Sequence, residues 1–262
     1  MDTQAVINHI VRWMDTYARD ARSEGFVIGI SGGIDSAVSS TLAAMTGRPT
    51  LCMTLPIHQA SSHVCRAEEH VAFLKDGYPN VSSLDVDLSP AYDQLTGLLP
   101  APHDRRKLEL TRANTRSRLR MVSLYYMAGL NNALVVGTGN KIEDFGVGFF
   151  TKYGDGGVDI SPIADLTKSE VYLLARALGV CTSIRQAPPS DGLFDGERTD
   201  EDQLGASYPE LERAMEHVLG GGSAEQLSGR DREVVEIFLA RNRANRHKME
   251  AIPVCVIPDE LK

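Results

Sequence analysis

The segment of this 262-residue chain best suited to chemistry is Ser31-Gly32-Gly33-Ile34-Asp35-Ser36. It follows the apolar run Phe26-Val27-Ile28-Gly29-Ile30 and opens a helical pattern from about Asp35 to Met45. Successive backbone N–H groups at such a strand-to-helix turn make an anion nest, and the helix dipole reinforces it. Glycines let the backbone approach the anion without a Cβ clash. Ser31 and Ser36 add hydroxyl donors. A carboxylate beside bare phosphate would repel it, so Asp35 makes sense where a divalent cation bridges it to the phosphates. The segment is not a Walker loop, because G-x-x-x-x-G-K is absent. Nor does the dinucleotide fingerprint G-x-G-x-x-G follow the first strand.

Charge adds a second clue. Between Asp104 and Arg120 seven Lys or Arg (105, 106, 107, 112, 116, 118 and 120) face only Asp104 and Glu109, and Arg241, Arg243, Arg246, His247 and Lys248 form another basic segment. Two basic stripes in a chain of net charge −8 suggest a small anionic ligand, and the acidic whole argues against coating DNA or RNA. His58, His63, Cys65 and His70 lie too irregularly for a zinc site and read as packed or solvated helix residues.

The elements that must position these residues alternate. Residues 2–22 carry Val6, Ile10, Trp13, Met14 and Tyr17 at spacings of three and four, which predicts an amphipathic helix. Short buried strands are expected at 26–30, 50–54, 81–87 and 133–137, with helices at 61–75, from Ser89-Pro90, at 108–130, from Thr167 to near Gly179, and at about 230–247. Alternation of apolar strands and helices predicts an α/β fold: a doubly wound, Rossmann-like parallel sheet with helices on both faces. Gly146, Gly148, Gly154, Gly156 and Gly157 predict a mobile stretch. Residues 186–206, rich in Pro, Gly and acid, predict a long functional loop that is unordered without ligand. Met121, Leu124, Tyr125 and Tyr126 read as core or as a dimer seam.

Length and composition predict one domain over residues 1–262. No run of 18 apolar residues suggests a membrane span, and the N-terminus lacks the layout of a signal peptide. The four cysteines, at 52, 65, 181 and 255, have no C-x-x-C spacing, which favours a reducing, cytoplasmic address.

The hexapeptide resembles the signature of the ATP pyrophosphatases, enzymes that split ATP between its α and β phosphates on an adenine nucleotide alpha hydrolase-like fold. Further segments narrow the likeness: Gly137-Thr138-Gly139-Asn140-Lys141-Ile142-Glu143, Phe149-Phe150-Thr151-Lys152-Tyr153-Gly154-Asp155-Gly156-Gly157-Val158-Asp159, Pro162 to Lys168, Pro188 to Leu193, Asp200 to Gly205, and Arg246-His247-Lys248. Together, over roughly residues 5–255, they resemble the ammonia-dependent NAD synthetases.

That resemblance implies amidation of deamido-NAD with ammonia, driven by ATP, through an acyl-adenylate. It implies that Gly29, Ile30, Ser31, Gly32, Gly33, Ile34, Asp35 and Ser36 line the ATP phosphates and that Thr138, Lys168 and Ser190 contact ATP. Asp35 and Glu143 would bind Mg²⁺, and Arg118, Lys152, Asp159, His247 and Lys248 would contact deamido-NAD. Lys168, a mobile charge at a helix start, suits a phosphate whose charge is moving. Glu143 follows a strand end, where ligands of open α/β sheets collect. Lys168 and Asp155 are the expected catalytic residues, Asp155 handling ammonium. The family is homodimeric, and residues 108–130 are the expected contact. No amidohydrolase segment or evident nucleophilic Cys precedes the nucleotide loop, so free ammonia is the expected nitrogen donor.

A GMP-synthetase-like amidating domain, a tRNA-thiolating enzyme and a flavoprotein-type nucleotide-binding module share the layout. The last would not need the Asp-bearing loop, and a thiolating enzyme would show cysteine pairs or a basic RNA surface. The chain departs from the commoner pattern in two places: Glu143 to Phe149 is one residue longer, and Asp191 stands where a small residue is usual.

Overall fold

The computed structural model describes residues 1–100, 104–190, 192–193 and 199–262; Asp191 and the side chains of Arg105 and Arg106 lie outside that description. The elements run α1 (Thr3–Asp20), β1 (Gly25–Gly29), α2 (Ile34–Met45), β2 (Thr50–Thr54), α3 (Ser61–Gly77), β3 (Val81–Asp85), α4 (Ser89–Leu98), α5 (Arg105–Leu130) and β4 (Ala133–Val135). A π-turn (Ile142–Val147) follows, then α6 (Lys168–Ala177), α7 (Thr182–Arg185), α8 (Asp200–Leu204), α9 (Tyr208–Leu219) and α10 (Gly229–Met249).

The four strands are parallel in the order β3-β2-β1-β4. Alternation along β1 sets the layers. Phe26 and Ile28 face one core with Ile7, Ile10 and Met14 of α1, Leu42 of α2 and Val171 and Leu174 of α6. Val27 faces the other with Met53, Val135 and Leu124 and Ala128 of α5. Successive strand residues point to opposite faces, so a sheet covered on both sides must read as a continuous apolar run. The chain winds outward from β1 to β3 and then returns to place β4 on the other side of β1. That reversal opens a crevice beyond the carboxyl ends of β1 and β4, where ligands of such sheets bind. The fourth strand is shorter than 133–137 because the pairing passes to a single bridge, Val136 with Ile160.

A third core joins the π-turn to the C-terminal helices: Ile142 and Val147 pack with Leu204, Tyr208, Leu211, Met215, Val235 and Phe238. The π-turn closes where the Gly148 N–H bonds back to the Glu143 carbonyl. Such turns swallow one residue without ending the element, and they recur at functional sites.

Two expectations are corrected. The glycine-rich stretch is not a free loop. Side chains at Gly154 and Gly156 would run into Ser117 and Phe150, so these glycines permit close packing. The segment 186–206 is not structureless throughout: α8 interrupts it, started by a capping box of Thr199 and Asp202. The Asp200 N–H also donates to the Pro189 carbonyl at 2.9 Å.

The histidine cluster disperses. His58 meets Asp93 at 2.8 Å on the surface, and His63 lines the crevice. His70 is wholly buried, hydrogen-bonded to Ser40 Oγ at 2.9 Å and stacked on Phe73. Burial pushes the His70 imidazole down to about 4, against the opposing pull of the Ala37 backbone and Glu69. The folded chain therefore resists a proton that the unfolded chain takes up near the ordinary imidazole value. Stability is full above that value and falls as pH drops toward 4, by about 3 kcal/mol in all. Urea midpoints measured from pH 7.5 to 4 should show that decline, and His70→Gln should flatten the part of it lying between the two pKa values.

Candidate functional site

The turn after β1 is built by its own side chains. Ser36 Oγ donates to the Gly33 carbonyl at 2.9 Å, and the Gly33 N–H donates to Ser31 Oγ at 3.2 Å. The Ser31 and Ser36 hydroxyls meet at 3.0 Å. The two serines thus brace the turn as well as lining it. Gly32 has φ +80°, and a Cβ there would lie 2.5 Å from the His63 carbonyl of α3, so both conformation and space demand glycine. Gly33, the N-cap of α2, gives no side-chain cap, which leaves the first-turn amides of α2 to an anion.

These residues border a cavity of about 260 Å³. Gly29 to Ser36 form one wall, and Thr138, Glu143, Asp155, Lys168 and Ser190 complete it. Every residue expected at the phosphates, at ATP or at the cation therefore lines one cavity, joined by Asp155.

At its floor Lys168 is 3% exposed. Its Nζ donates to Asp35 Oδ2 at 2.5 Å and to Glu143 Oε1 at 3.1 Å, and it sits 4.6 Å from the centre of the Tyr208 ring. Burial opposes the charge on Lys168, but Asp35 and Glu143 outweigh it and hold the ammonium well above its ordinary value. The residue stands at the first position of α6 because Thr167 and Glu170 form a capping box there. Asn140, fully buried, links the parts: its Nδ2 donates to Asp35 Oδ1 at 3.3 Å, and its Oδ1 accepts from the N–H groups of Ile142 and Glu143. Tyr208 OH donates to Glu143 Oε1 at 2.5 Å.

Two hard carboxylates already arranged around a positive charge suit Mg²⁺. Among the described residues no group of three His, Cys, Asp or Glu ligands forms. Phosphate and water would supply the remaining oxygens, as is usual for this ion.

Asp155 is pinned. Its Oδ1 accepts from Ser117 Oγ at 2.6 Å and from the Thr151 N–H at 3.0 Å. Asp144, beside Glu143, also lines the cavity; burial first, then Glu143, Asp155 and Asp35, push its carboxyl up to about 8.

Four of the five residues expected at deamido-NAD gather around Phe150 and Lys152. Arg118 donates to the Lys152 carbonyl from Nε and Nη2, both at 3.3 Å, and Lys152 Nζ donates to the His247 carbonyl at 2.6 Å. Lys248 Nζ donates to the Phe150 carbonyl at 2.6 Å. Asp159 stands apart from this group, tied to the Val135 N–H at 2.8 Å and to Tyr125 OH at 2.9 Å.

Sequence reasoning gave no site role of their own to Asp144, Arg120, Asn140, Tyr208 and Asp200, although Arg120 lies in the basic stripe and Asn140 and Asp200 lie within motif segments. Arg120 lines the cavity and donates to the Leu55 carbonyl and Gln59 Oε1; its spacing of four from Arg116 on one helix was the available signal. Asn140 and Asp144 adjoin recognised motif positions. Nothing around Tyr208 in the chain marks it as more than a core aromatic.

The NAD synthase family model matches residues 6–252. The chain is 39% identical over 264 residues to the NH(3)-dependent NAD(+) synthetase of Syntrophomonas wolfei, covering 100% of each. It is 34% identical to that of Methanosarcina acetivorans, over 97% of this chain and 98% of the relative. Among solved structures it superposes on the NMN synthetase of Francisella tularensis with a TM-score of 0.83, 31% identity and 99% of each chain covered. The NH3-dependent NAD synthetase of Campylobacter jejuni shares the fold at a TM-score of 0.78 and 23% identity, over 98% of this chain and 100% of that one. A signature loop, a buried Asp–Lys–Glu floor and similarity along nearly the whole length agree: the chain belongs to the NAD synthase family.

Proposed function

We propose that this protein is an ATP-dependent ligase that amidates deamido-NAD with ammonia, giving NAD, AMP and pyrophosphate. The observation that carries the reading is the Ser31–Ser36 turn facing the buried Asp35–Lys168–Glu143 floor in one cavity.

A pyridine carboxylate is a poor acyl donor because its leaving group would be oxide. Attack of a carboxylate oxygen on the α-phosphorus of ATP forms a new P–O bond and breaks the bond to pyrophosphate. The first-turn amides of α2 hold the departing phosphates, and Lys168, already charged and within reach, meets the negative charge as it moves. Asp35 and Glu143 would hold Mg²⁺, which when bound offsets phosphate charge. Ammonia then attacks the acyl carbon, and AMP leaves with the carboxyl oxygen. Asp155, held through Oδ1, presents its carboxylate to ammonium and takes the proton released as the C–N bond forms. Thr138 and Ser190 contact ATP at the cavity wall. Arg118, Lys152, Asp159, His247 and Lys248 bind the dinucleotide, whose two phosphates suit the basic group around Lys152.

The protein is read as a cytoplasmic homodimer without a nucleic-acid or membrane partner. Val122, Tyr126 and Leu130 leave an exposed apolar edge on α5, which supports a subunit contact there. Among the described residues no helix is long and apolar enough to cross a membrane. A second reading, amidation of the mononucleotide instead of the dinucleotide, is favoured by the likeness to the Francisella tularensis NMN synthetase.

One coupled assay tests both. NAD formation should require ATP, deamido-NAD and ammonium together, and pyrophosphate release from ATP should require deamido-NAD. A higher kcat/KM with nicotinate mononucleotide would favour the second reading, and turnover with neither would sink both. Glutamine in place of ammonium should give no product with the purified chain; product formation would overturn the assignment of free ammonia. Asp155→Asn should lower amidation about 100-fold while pyrophosphate exchange dependent on deamido-NAD continues. Equal loss of both half-reactions would remove Asp155 from the ammonium step.

A further inference from the structure

Tyr208 is 2% exposed and begins α9, outside every segment that carries the phosphate site. Its two ends serve two members of the floor. The hydroxyl donates to Glu143 Oε1 at 2.5 Å, and the ring lies 4.6 Å beneath the Lys168 ammonium. The same hydroxyl stands 3.4 Å from Asp200 Oδ2, and the Tyr208 N–H donates to Glu201 Oε1 at 3.0 Å. Asp200 in turn holds the Pro189 carbonyl, next to Ser190 on the cavity wall. One aromatic residue thus joins the cation ligand, the phosphate-binding lysine and the Pro189–Ser190 stretch of the cavity wall.

We propose that Tyr208 is a positioning residue: its hydroxyl aims Glu143 at the nucleotide's cation, and its ring keeps Lys168 against Asp35. The hydroxyl occupies one lone pair of Glu143 Oε1 and limits rotation of a carboxylate that has few other partners. Hydrogen bonds to a ligating carboxylate orient it, and their loss weakens metal binding by about one to two orders of magnitude. The ring offers its negative face to a desolvated ammonium, an attraction that survives when the hydroxyl is removed. The hydroxyl and the ring therefore have separable consequences.

The inference rests on the reading that Asp35 and Glu143 hold the nucleotide's cation. Mn²⁺ binding, followed by electron paramagnetic resonance on the intact protein with ATP present, addresses it without turnover. Tyr208→Phe should raise the Mn²⁺ dissociation constant about tenfold or more while the KM for ATP at saturating metal stays near that of the parent. Tyr208→Leu should raise both. Parent-like Mn²⁺ binding by Tyr208→Phe overturns the proposal. So does an equal loss of Mn²⁺ and ATP binding in the two variants, the mark of a merely structural residue. A parent that binds no Mn²⁺ with ATP would instead sink the cation reading itself, and a parent that binds Mn²⁺ but forms no amide would leave this inference standing and remove the proposed reaction.

Discussion

The molecule depends on one buried ammonium. Lys168 carries its charge at 3% exposure because two carboxylates and an aromatic face surround it. Taking three ions out of water costs several kcal/mol for each, and only close geometry and further hydrogen bonds repay it. That requirement explains the neighbours. Asn140 satisfies Asp35, Tyr208 satisfies Glu143, and the capping box of Thr167 and Glu170 fixes where α6 begins. Four distant stretches of chain, around residues 35, 143, 168 and 208, must be correctly docked before any of these charges is tolerable. A charge cluster that stabilises little by itself therefore makes the site and the fold conditional on each other.

Sheet topology decides where the cluster lies. The reversal between β1 and β4 brings two strand ends side by side, one leading into the Ser31–Ser36 turn and the other into the π-turn that carries Glu143. The wide turn holds Glu143 on Lys168 while Asn242 and Asn245 of α10 donate to the Gly146 and Val147 carbonyls. Asp144, a carboxyl pushed up to about 8 beside Glu143, is carried into the cavity by the same turn.

The glycines of 154–157 show the same logic at shorter range. Composition suggests mobility, because glycine is permissive when nothing else acts on it. Here the missing side chains let the backbone settle against Ser117, Phe150 and Met121, and Asp155 is held by two hydrogen bonds. A carboxylate held in this way is organised before any charge reaches it.

What the chain determines locally is legible in its sequence. Apolar periodicity placed β1, α2, β2, α3 and α5 within a few residues, because strand and helix repeats are properties of neighbouring positions. The Ser31–Ser36 turn could be read for the same reason: an anion nest is made by consecutive amides. Lys168, Glu143 and Asp155 stand out as candidates through motifs, and the structure brings all three to one cavity. Tertiary structure alone decided that Lys168 is buried between Asp35 and Glu143 and not a solvated first-turn lysine, that His70 enters the core while His63 faces the cavity, and that Tyr208 reaches the floor from 40 positions beyond Lys168. Burial and cross-chain contact depend on how layers pack, and no local pattern around residue 208 encodes which carboxylate its hydroxyl will meet.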